Sequence, residues 1–148
     1  LTAQMISDSL RVFSSDNSVN VVNLMSKMKS QKEFEDPNEV KVVVDSKNNA
    51  IYFSREPIPS RKKGVTNVPM LKQVCIIPFR RNYLLHFNSL SETPLEIIES
   101  VDMMRIIENG GGVRMVMTDQ ITYSVDTPED MIKVESYMKN DPLLKEYN

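Results

Sequence analysis

Arg55 stands at the end of a predicted strand and is of a type that binds carboxylates and phosphates. It follows the apolar run AIYF at 50–53 and precedes Pro57 and Pro59. Proline fixes φ and has no amide hydrogen, so the sheet ladder cannot continue and the chain leaves as a stiff, extended arm. The pattern predicts a guanidinium group presented at a strand end.

Asp126 is the second residue whose type and position suit ion binding. It directly precedes Thr127, Pro128 and Asp130, which match a capping box with proline at the first helical position. The free amides and dipole of a helix N-terminus favour a carboxylate. Because Thr127 already supplies a cap, Asp126 is either an additional cap or a carboxylate available to a metal cation.

The elements that must position these residues alternate between helices and strands. Apolar periodicity, capping residues and turn residues predict them. We expect helices over 2–13, 80–87, 94–108 and 128–139, a short helix in the polar stretch after 24, and strands over 18–24, 39–45, 50–53, 71–79 and 113–118. This order predicts an α/β layered fold, in which sites lie just past strand ends.

The amino-acid composition of the chain argues against several classes of function. The chain has 148 residues and a formal net charge of -2, which argues against a nucleic-acid partner. A single cysteine, Cys75, excludes an internal disulfide and suits a reducing cytoplasm, and no apolar run is long enough for a membrane span. The lone His86 is interpreted as a surface or packing residue, the ten methionines as core filler, and the basic stretch 60–70 as a solvated loop.

Four segments, taken in order, resemble the later half of the CMP-Kdo synthetases, the 3-deoxy-manno-octulosonate (Kdo) cytidylyltransferases. They are VKVVVDSKNNAIYFSREPIP, LKQVCIIPFRR, TPLEIIESVDMMRIIENG and SVDTPEDMIKV, and the similar region covers about residues 36–138. The resemblance implies a three-layer, Rossmann-like fold of the nucleotide-diphospho-sugar transferase type with a mixed sheet. It also implies Mg²⁺-dependent transfer of CMP from CTP to an eight-carbon sugar acid such as Kdo, with release of pyrophosphate, by a cytoplasmic homodimer.

The same resemblance implies roles for individual residues. Arg55 and Asp126 are the expected catalytic residues, with Arg55 on the sugar acid and Asp126 as the ligand of Mg²⁺. Ser54, Gln73 and Asp102 are expected to join Arg55 in binding the substrate. Gln73 stands where the family has a histidine, and Asp102 where it has a glutamate.

Other departures alter the polar pattern of the expected sugar pocket. Ile77 and Phe79 replace two tyrosines of the family pattern, and Met103 replaces a glutamine. A modified sugar acid as substrate and a loss of activity both fit these changes.

The family's nucleotide-binding stretch and its second metal aspartate are not found in the chain, which begins at Leu1. We therefore expect residues 1–148 to be one partial domain that binds the sugar acid and dimerises. Because it would lack the N-terminal CTP-binding part, it should be inactive by itself.

Three functions remain open: the C-terminal part of a CMP-sugar-acid synthetase, a related nucleotidyltransferase for another sugar, and a non-catalytic assembly module of the same fold. The apolar segments at 50–59 and 71–79 are the expected dimer interface. On that interpretation a charge at Ile77 should dissociate or unfold the protein, whereas a charge at Lys47 should do neither.

Overall fold

A computed structural model of the protein describes residues 2–65, 67–125, 127–141 and 143–144. Within these residues the elements, in chain order, are α1 (Ala3–Ser15), β1 (Val22–Lys27), α2 (Gln31–Glu35), β2 (Lys41–Val44), β3 (Ala50–Ser54), β4 (Leu71–Val74), α3 (Arg81–Ser89), α4 (Pro94–Glu99), α5 (Met103–Glu108), β5 (Arg114–Met117) and α6 (Pro128–Met138). The predicted alternation of helices and strands is present.

The five strands form one mixed sheet in the order β3-β2-β4-β1-β5. β1 pairs with β5 in parallel and with β4 antiparallel, while β2 and β3 form the predicted hairpin. β2 joins β4 through the single pair Lys41 and Lys72. The hairpin turn reaches the far edge of the sheet, where the Met115 amide donates to Asn48 O at 2.7 Å. The turn therefore covers part of β5, which is otherwise an open edge.

Apolar side chains fill both faces of this sheet. On one face Met5 of α1 packs with Leu24 and Val74. On the other face a larger core joins Met25, Phe53 and Met115 to the buried residues of α5. Six of the ten methionines are buried, which agrees with their predicted role as core filler (Met5, Met25, Met28, Met103, Met104 and Met115).

The predicted helix over 94–108 is wrong as one continuous element. It breaks into α4 and α5 at Ser100, which adopts a left-handed conformation with φ 53°. The break lets Val101 and Met104 enter the core, whereas Ile97, about one helical turn before Val101, is 64% exposed. No glycine or proline marks this point in the sequence, so local propensity gave no signal of the break.

A partly buried ion pair holds the two short helices together. Arg105 Nε donates to Glu96 Oε2 at 2.7 Å, and its Nη2 donates to Glu96 Oε1. The Arg105 guanidinium lies 4.6 Å from the centroid of the Phe87 ring. The hydrogen bonds from Arg105 keep the pKa of the Glu96 carboxyl below its usual value.

Two predicted strands have shifted boundaries. β1 begins at Val22, four residues later than expected, and continues through Ser26 and Lys27, whose polar side chains hid the strand signal. β4 ends at Val74, although the chain stays beside β1 through Leu24 N to Ile76 O and Val22 N to Pro78 O. Pro78 has no amide hydrogen, so regular pairing cannot extend along this segment.

No helix in the described part of the chain is both long enough and apolar enough to cross a membrane.

Candidate active site

A cleft of about 630 Å³ opens at the carboxyl ends of the parallel strands β1 and β5. Ser26 and Lys27 reach it from β1, Thr118 follows β5, and the chain from 119 to 124 forms one wall. Five lysines and five carboxylates line the described part of the cleft: Lys27, Lys29, Lys32, Lys72, Lys133, Glu33, Asp36, Glu39, Asp119 and Asp130. The position is the one in which α/β folds place ligands.

Lys72 is the most buried of these cations and is paired with two acids. Its Nζ lies 2.8 Å from Glu33 Oε1 and 2.9 Å from Glu39 Oε1, with the side chain 11% exposed. Burial opposes its charge, but the bonds to Glu33 and Glu39 outweigh burial and raise the pKa of Lys72. Its charge is therefore balanced within the fold, and the exposed Lys27, Lys29, Lys32 and Lys133 carry the cationic character offered to a ligand.

The N-terminus of α6 forms the predicted capping box beside this cleft. Thr127 Oγ1 accepts the Asp130 amide at 3.2 Å, and the Thr127 amide donates to Asp130 Oδ2 at 3.1 Å. Asp130 and Lys133 of α6 also line the cleft. Asp126, the predicted Mg²⁺ ligand, lies outside the described residues, so its role remains a prediction.

Arg55 follows β3 as expected, but its guanidinium contacts backbone carbonyls. Nε donates to Glu99 O at 2.9 Å, Nη1 to Pro37 O at 2.9 Å and Nη2 to Ser100 O at 3.2 Å. These bonds use three of the five N–H donors that arginine has. Arg55 thus joins the end of β3 to the turn at 36–39 and to the break between α4 and α5. Direct binding of a sugar acid by Arg55 remains a prediction.

Glu99 is the centre of a hydrogen-bond network that the sequence did not indicate. Its carboxylate accepts the Tyr52 hydroxyl, Ser54 Oγ and the Arg55 amide, each at 3.0 Å. Ser54, predicted to bind substrate, is 2% exposed and also accepts the Glu56 amide at 3.0 Å. In this arrangement Ser54 anchors the backbone that carries Arg55.

Lys41 is a second functional candidate that sequence reasoning missed. It is fully buried, and its Nζ donates to Asp36 O and Glu39 O, both at 2.8 Å, and to Arg55 O. Burial lowers the pKa of Lys41 below the ordinary value. Asp36 and Glu39 line the cleft, so Lys41 connects the cleft wall to Arg55.

The other two predicted substrate residues, Asp102 and Gln73, lie on different elements. Asp102 precedes α5 and lines a second cavity, of about 410 Å³, together with Ser100, the residue whose carbonyl binds Arg55. Gln73 lies on β4, half-buried, with its Nε2 donating to Asn23 Oδ1 at 2.6 Å. The structure thus brings Ser54, Arg55 and Asp102 close to Ser100, and places Gln73 on a central strand.

Three further positions that depart from the family pattern lie in or against the core rather than in a polar pocket. Met103 is 1% exposed, and Ile77 and Phe79 pack against the large core cluster. Their apolar character is therefore explained by packing.

Comparison with known proteins gives one family. The family described as Cytidylyltransferase matches residues 1–136. The 3-deoxy-manno-octulosonate cytidylyltransferase of Syntrophotalea carbinolica is 34% identical over 143 residues, covering 91% of this chain and 57% of that protein. The mitochondrial enzyme of the same name from Arabidopsis thaliana is 39% identical over 106 residues, covering 70% of this chain and 37% of that protein.

The chain is also similar to a solved structure of an enzyme of the same kind. CMP:2-keto-3-deoxy-manno-octonic acid synthetase complexed with CTP superposes with a TM-score of 0.86 at 30% identity, covering 95% of this chain and 57% of that one. The chain therefore spans just over half the length of this structure and of the Syntrophotalea carbinolica enzyme. The predicted nucleotide-diphospho-sugar transferase-like fold is confirmed. With a match across residues 1–136 and the predicted resemblance borne out by these relatives, the chain belongs to the cytidylyltransferase family.

Proposed function

We propose that the full-length protein transfers CMP from CTP to an eight-carbon sugar acid, Kdo or a variant of it, and releases pyrophosphate. The observation that carries this proposal is the similarity to a CTP-bound synthetase over 95% of the chain. The cleft at the ends of β1 and β5 adds to it, because exposed lysines there can attract an anionic substrate. This chain would contribute the sugar-acid side of the site.

The oxygen ligands in the cleft suit Mg²⁺, which binds through one or two carboxylates and substrate phosphates. Asp119, Asp130 and Thr118 place hard oxygen atoms along its wall. The described residues contain no group of three or more His, Cys, Asp or Glu side chains arranged to hold a metal. On the family resemblance, Asp126 would hold the ion together with the substrate. Bound Mg²⁺ supplies neutralisation of phosphate charge.

The residues of this chain would act mainly by positioning the sugar acid. In phosphoryl and nucleotidyl transfer, orientation and electrostatic stabilisation supply most of the catalysis. Lys41, Glu99 and Arg55 fix the 36–39 turn against β3, and that turn carries two acids of the cleft. A rigid wall of this kind holds the hydroxyl of a sugar acid in one orientation.

A direct assay tests the proposed activity. The full-length protein is incubated with CTP, Mg²⁺ and either Kdo, an amino-substituted Kdo or a nine-carbon sugar acid, and pyrophosphate release is measured. Release with at least one eight-carbon acid is expected. Release only with the nine-carbon acid would identify a related nucleotidyltransferase, and release with none would contradict the proposal.

We also propose that the full-length protein is a homodimer. β3 is an edge strand, and Ile51 on it is 54% exposed. An exposed apolar side chain on an edge strand is suited to contact with a second copy through a two-fold axis. Ile77, by contrast, packs against the core, so a charge there would report on folding rather than on assembly.

Ile51→Asp is expected to convert the dimer to a monomer with little change in melting temperature, because Ile51 is exposed within one subunit. Size-exclusion chromatography with light scattering measures the mass. Lys47→Asp, in the exposed hairpin turn, is the matched control and should leave the dimer intact. A wild-type monomer at micromolar concentration would contradict the proposed dimer.

A further inference from the structure

One side of α6 is turned toward the cleft. Asp130, Lys133 and Val134 line the cleft, and Tyr137 stacks on Tyr123 of the cleft wall. These four positions of α6 recur at intervals of three and four residues, so they share one side of the helix. The cleft therefore extends along α6 and does not stop at its N-terminal cap.

Tyr123 connects the wall formed by 119–124 to this side of α6. Its ring lies nearly parallel to that of Tyr137, with the ring centroids 4.4 Å apart and an angle of 12° between the planes. Aromatic pairs in this arrangement attract each other beyond the area that they bury. Because no residue of α6 is buried, the stack is a main contact that sets where Tyr123 lies relative to the helix.

Lys133 is held over the ring of Tyr123. Its Nζ lies 5.8 Å from the ring centroid, within the range of a cation–π contact. Within the described residues no carboxylate forms an ion pair with Lys133, whereas Lys139 of the same helix pairs with Glu135 at 3.5 Å. The ring thus orients the ammonium group of Lys133 in the cleft without neutralising its charge.

We propose that Lys133 binds a phosphate oxygen of CTP, and that Tyr123 and Tyr137 are positioning residues for its ammonium group. This contact rests on the proposed function and adds part of the nucleotide site to a chain that would otherwise hold the sugar acid. Lysine binds phosphate as a point charge, whereas the fork of arginine suits a planar carboxylate. Phosphates are also expected beside α6 if Asp126 holds Mg²⁺, since that ion binds protein carboxylates together with substrate phosphates.

Titration calorimetry of the full-length protein with CTP and Mg²⁺, without a sugar acid, tests the phosphate contact. Lys133→Gln is expected to raise the Kd for CTP about tenfold, as the loss of one hydrogen bond from a charged group. Cytidine, which has no phosphate, should compete with CTP equally well in both proteins. Unchanged CTP affinity in Lys133→Gln would overturn the proposal.

Lys139→Gln is the matched control. It removes the same charge from the same helix at an exposed position that does not line the cleft. Charges exposed to solvent are screened by salt, so the Kd for CTP should change by less than about twofold. If Lys139→Gln and Lys133→Gln weaken CTP binding equally, the effect belongs to the net charge of α6 and Lys133 makes no phosphate contact.

Steady-state kinetics distinguish phosphate from the carboxylate of the sugar acid. A phosphate contact requires that Lys133→Gln raise the KM for CTP and leave the KM for the sugar acid within about twofold of the wild type. A rise confined to the sugar acid would assign Lys133 to that substrate and overturn the phosphate assignment.

Tyr137→Leu tests the positioning role. It removes the ring stack, so the Kd for CTP should rise about threefold, because a lysine side chain that is no longer held must be ordered on binding. Tyr137→Phe keeps a ring for stacking and is expected to rescue this loss. In a Lys133→Gln background, Tyr137→Leu should have no further effect. The same loss in both backgrounds would show that Tyr137 supports only the fold.

Binding of CTP is measured without turnover, which separates the phosphate contact from the proposed transfer activity. An active protein in which Lys133→Gln binds CTP like the wild type would contradict the contact alone. A protein that binds CTP through Lys133 but releases pyrophosphate with no sugar acid would keep the contact and contradict the activity. A full-length protein that does not bind CTP would contradict both.

Discussion

Asp126→Asn in the full-length protein is expected to lower kcat about a thousandfold and to leave the melting temperature within about 2 °C of the wild type. The proposed ligand role sets the first effect, because a metal ion contributes several kcal/mol of charge stabilisation and each 1.36 kcal/mol is tenfold in rate. The melting temperature should stay nearly unchanged because the cap of α6 does not depend on Asp126. Thr127 Oγ1, not a neighbouring carboxylate, accepts the Asp130 amide. Pyrophosphate release and thermal unfolding measure the two quantities.

Thr127→Ala is the matched control for this prediction. It removes the hydroxyl that caps α6, which costs about 1 kcal/mol and lowers the melting temperature by roughly 2–4 °C. Its kcat should change much less than that of Asp126→Asn. If Asp126→Asn instead lowers the melting temperature by several degrees and leaves Mg²⁺ affinity intact, the two residues have exchanged roles, and Asp126 is the structural one.

The elements that the sequence predicted well have strong local signals. Thr2 accepts the Met5 amide at 3.3 Å, and the box at Thr127 forms as its spacing implied. Gly110, with φ 74°, is the first of three successive glycines, and it follows α5 in the left-handed conformation that glycine adopts readily at a helix end. Caps, glycines and turns act within four residues of each other, so a single sequence window contains all the groups involved.

The break at Ser100 could not be predicted in this way, because it depends on distant contacts. Glu99 binds Tyr52, Ser54 and Arg55, which lie 44–47 positions earlier in the chain. Those bonds hold the end of α4 against β3, and the next residue then turns the chain so that Val101 enters the core. Tertiary contacts have overridden helix propensity, which favours continuation here.

Dependence on distant contacts also explains which site residues could not be predicted from the sequence. Lys41 and Asn23 are buried and Glu99 is half-buried, and all three bind mainly carbonyls or side chains from other elements. In sequence, Lys41 begins the strand KVVV and Asn23 interrupts an apolar run, and neither has a motif around it. Arg55 could be predicted as a site residue because prolines mark the end of the strand. The carbonyl groups that it binds could not be predicted from the sequence. The residue was predictable, and its partners were not.

Those partners sharpen the prediction for Arg55→Ala in the full-length protein. Removing three hydrogen bonds to Pro37, Glu99 and Ser100, at about 0.5–1.5 kcal/mol each, should lower the melting temperature by several degrees. If a remaining N–H pair also binds the carboxylate of the sugar acid, the KM for that substrate should rise ten- to a hundredfold, since charged hydrogen bonds contribute about 1.5–3 kcal/mol. The KM for CTP should stay within about twofold.

Glu99→Gln separates binding from positioning, because it weakens the same junction and leaves the guanidinium in place. Gln keeps the shape but loses one acceptor oxygen for Tyr52, Ser54 and the Arg55 amide, so its melting temperature should also fall. A direct role for Arg55 requires that Arg55→Ala raise the KM for the sugar acid at least fivefold more than Glu99→Gln does. If the two variants raise that KM equally, or if Arg55→Ala raises the KM values of both substrates alike, Arg55 serves the fold. The sugar acid would then be held by other side chains, with Asp102, beside Ser100 on the second cavity, the next to test.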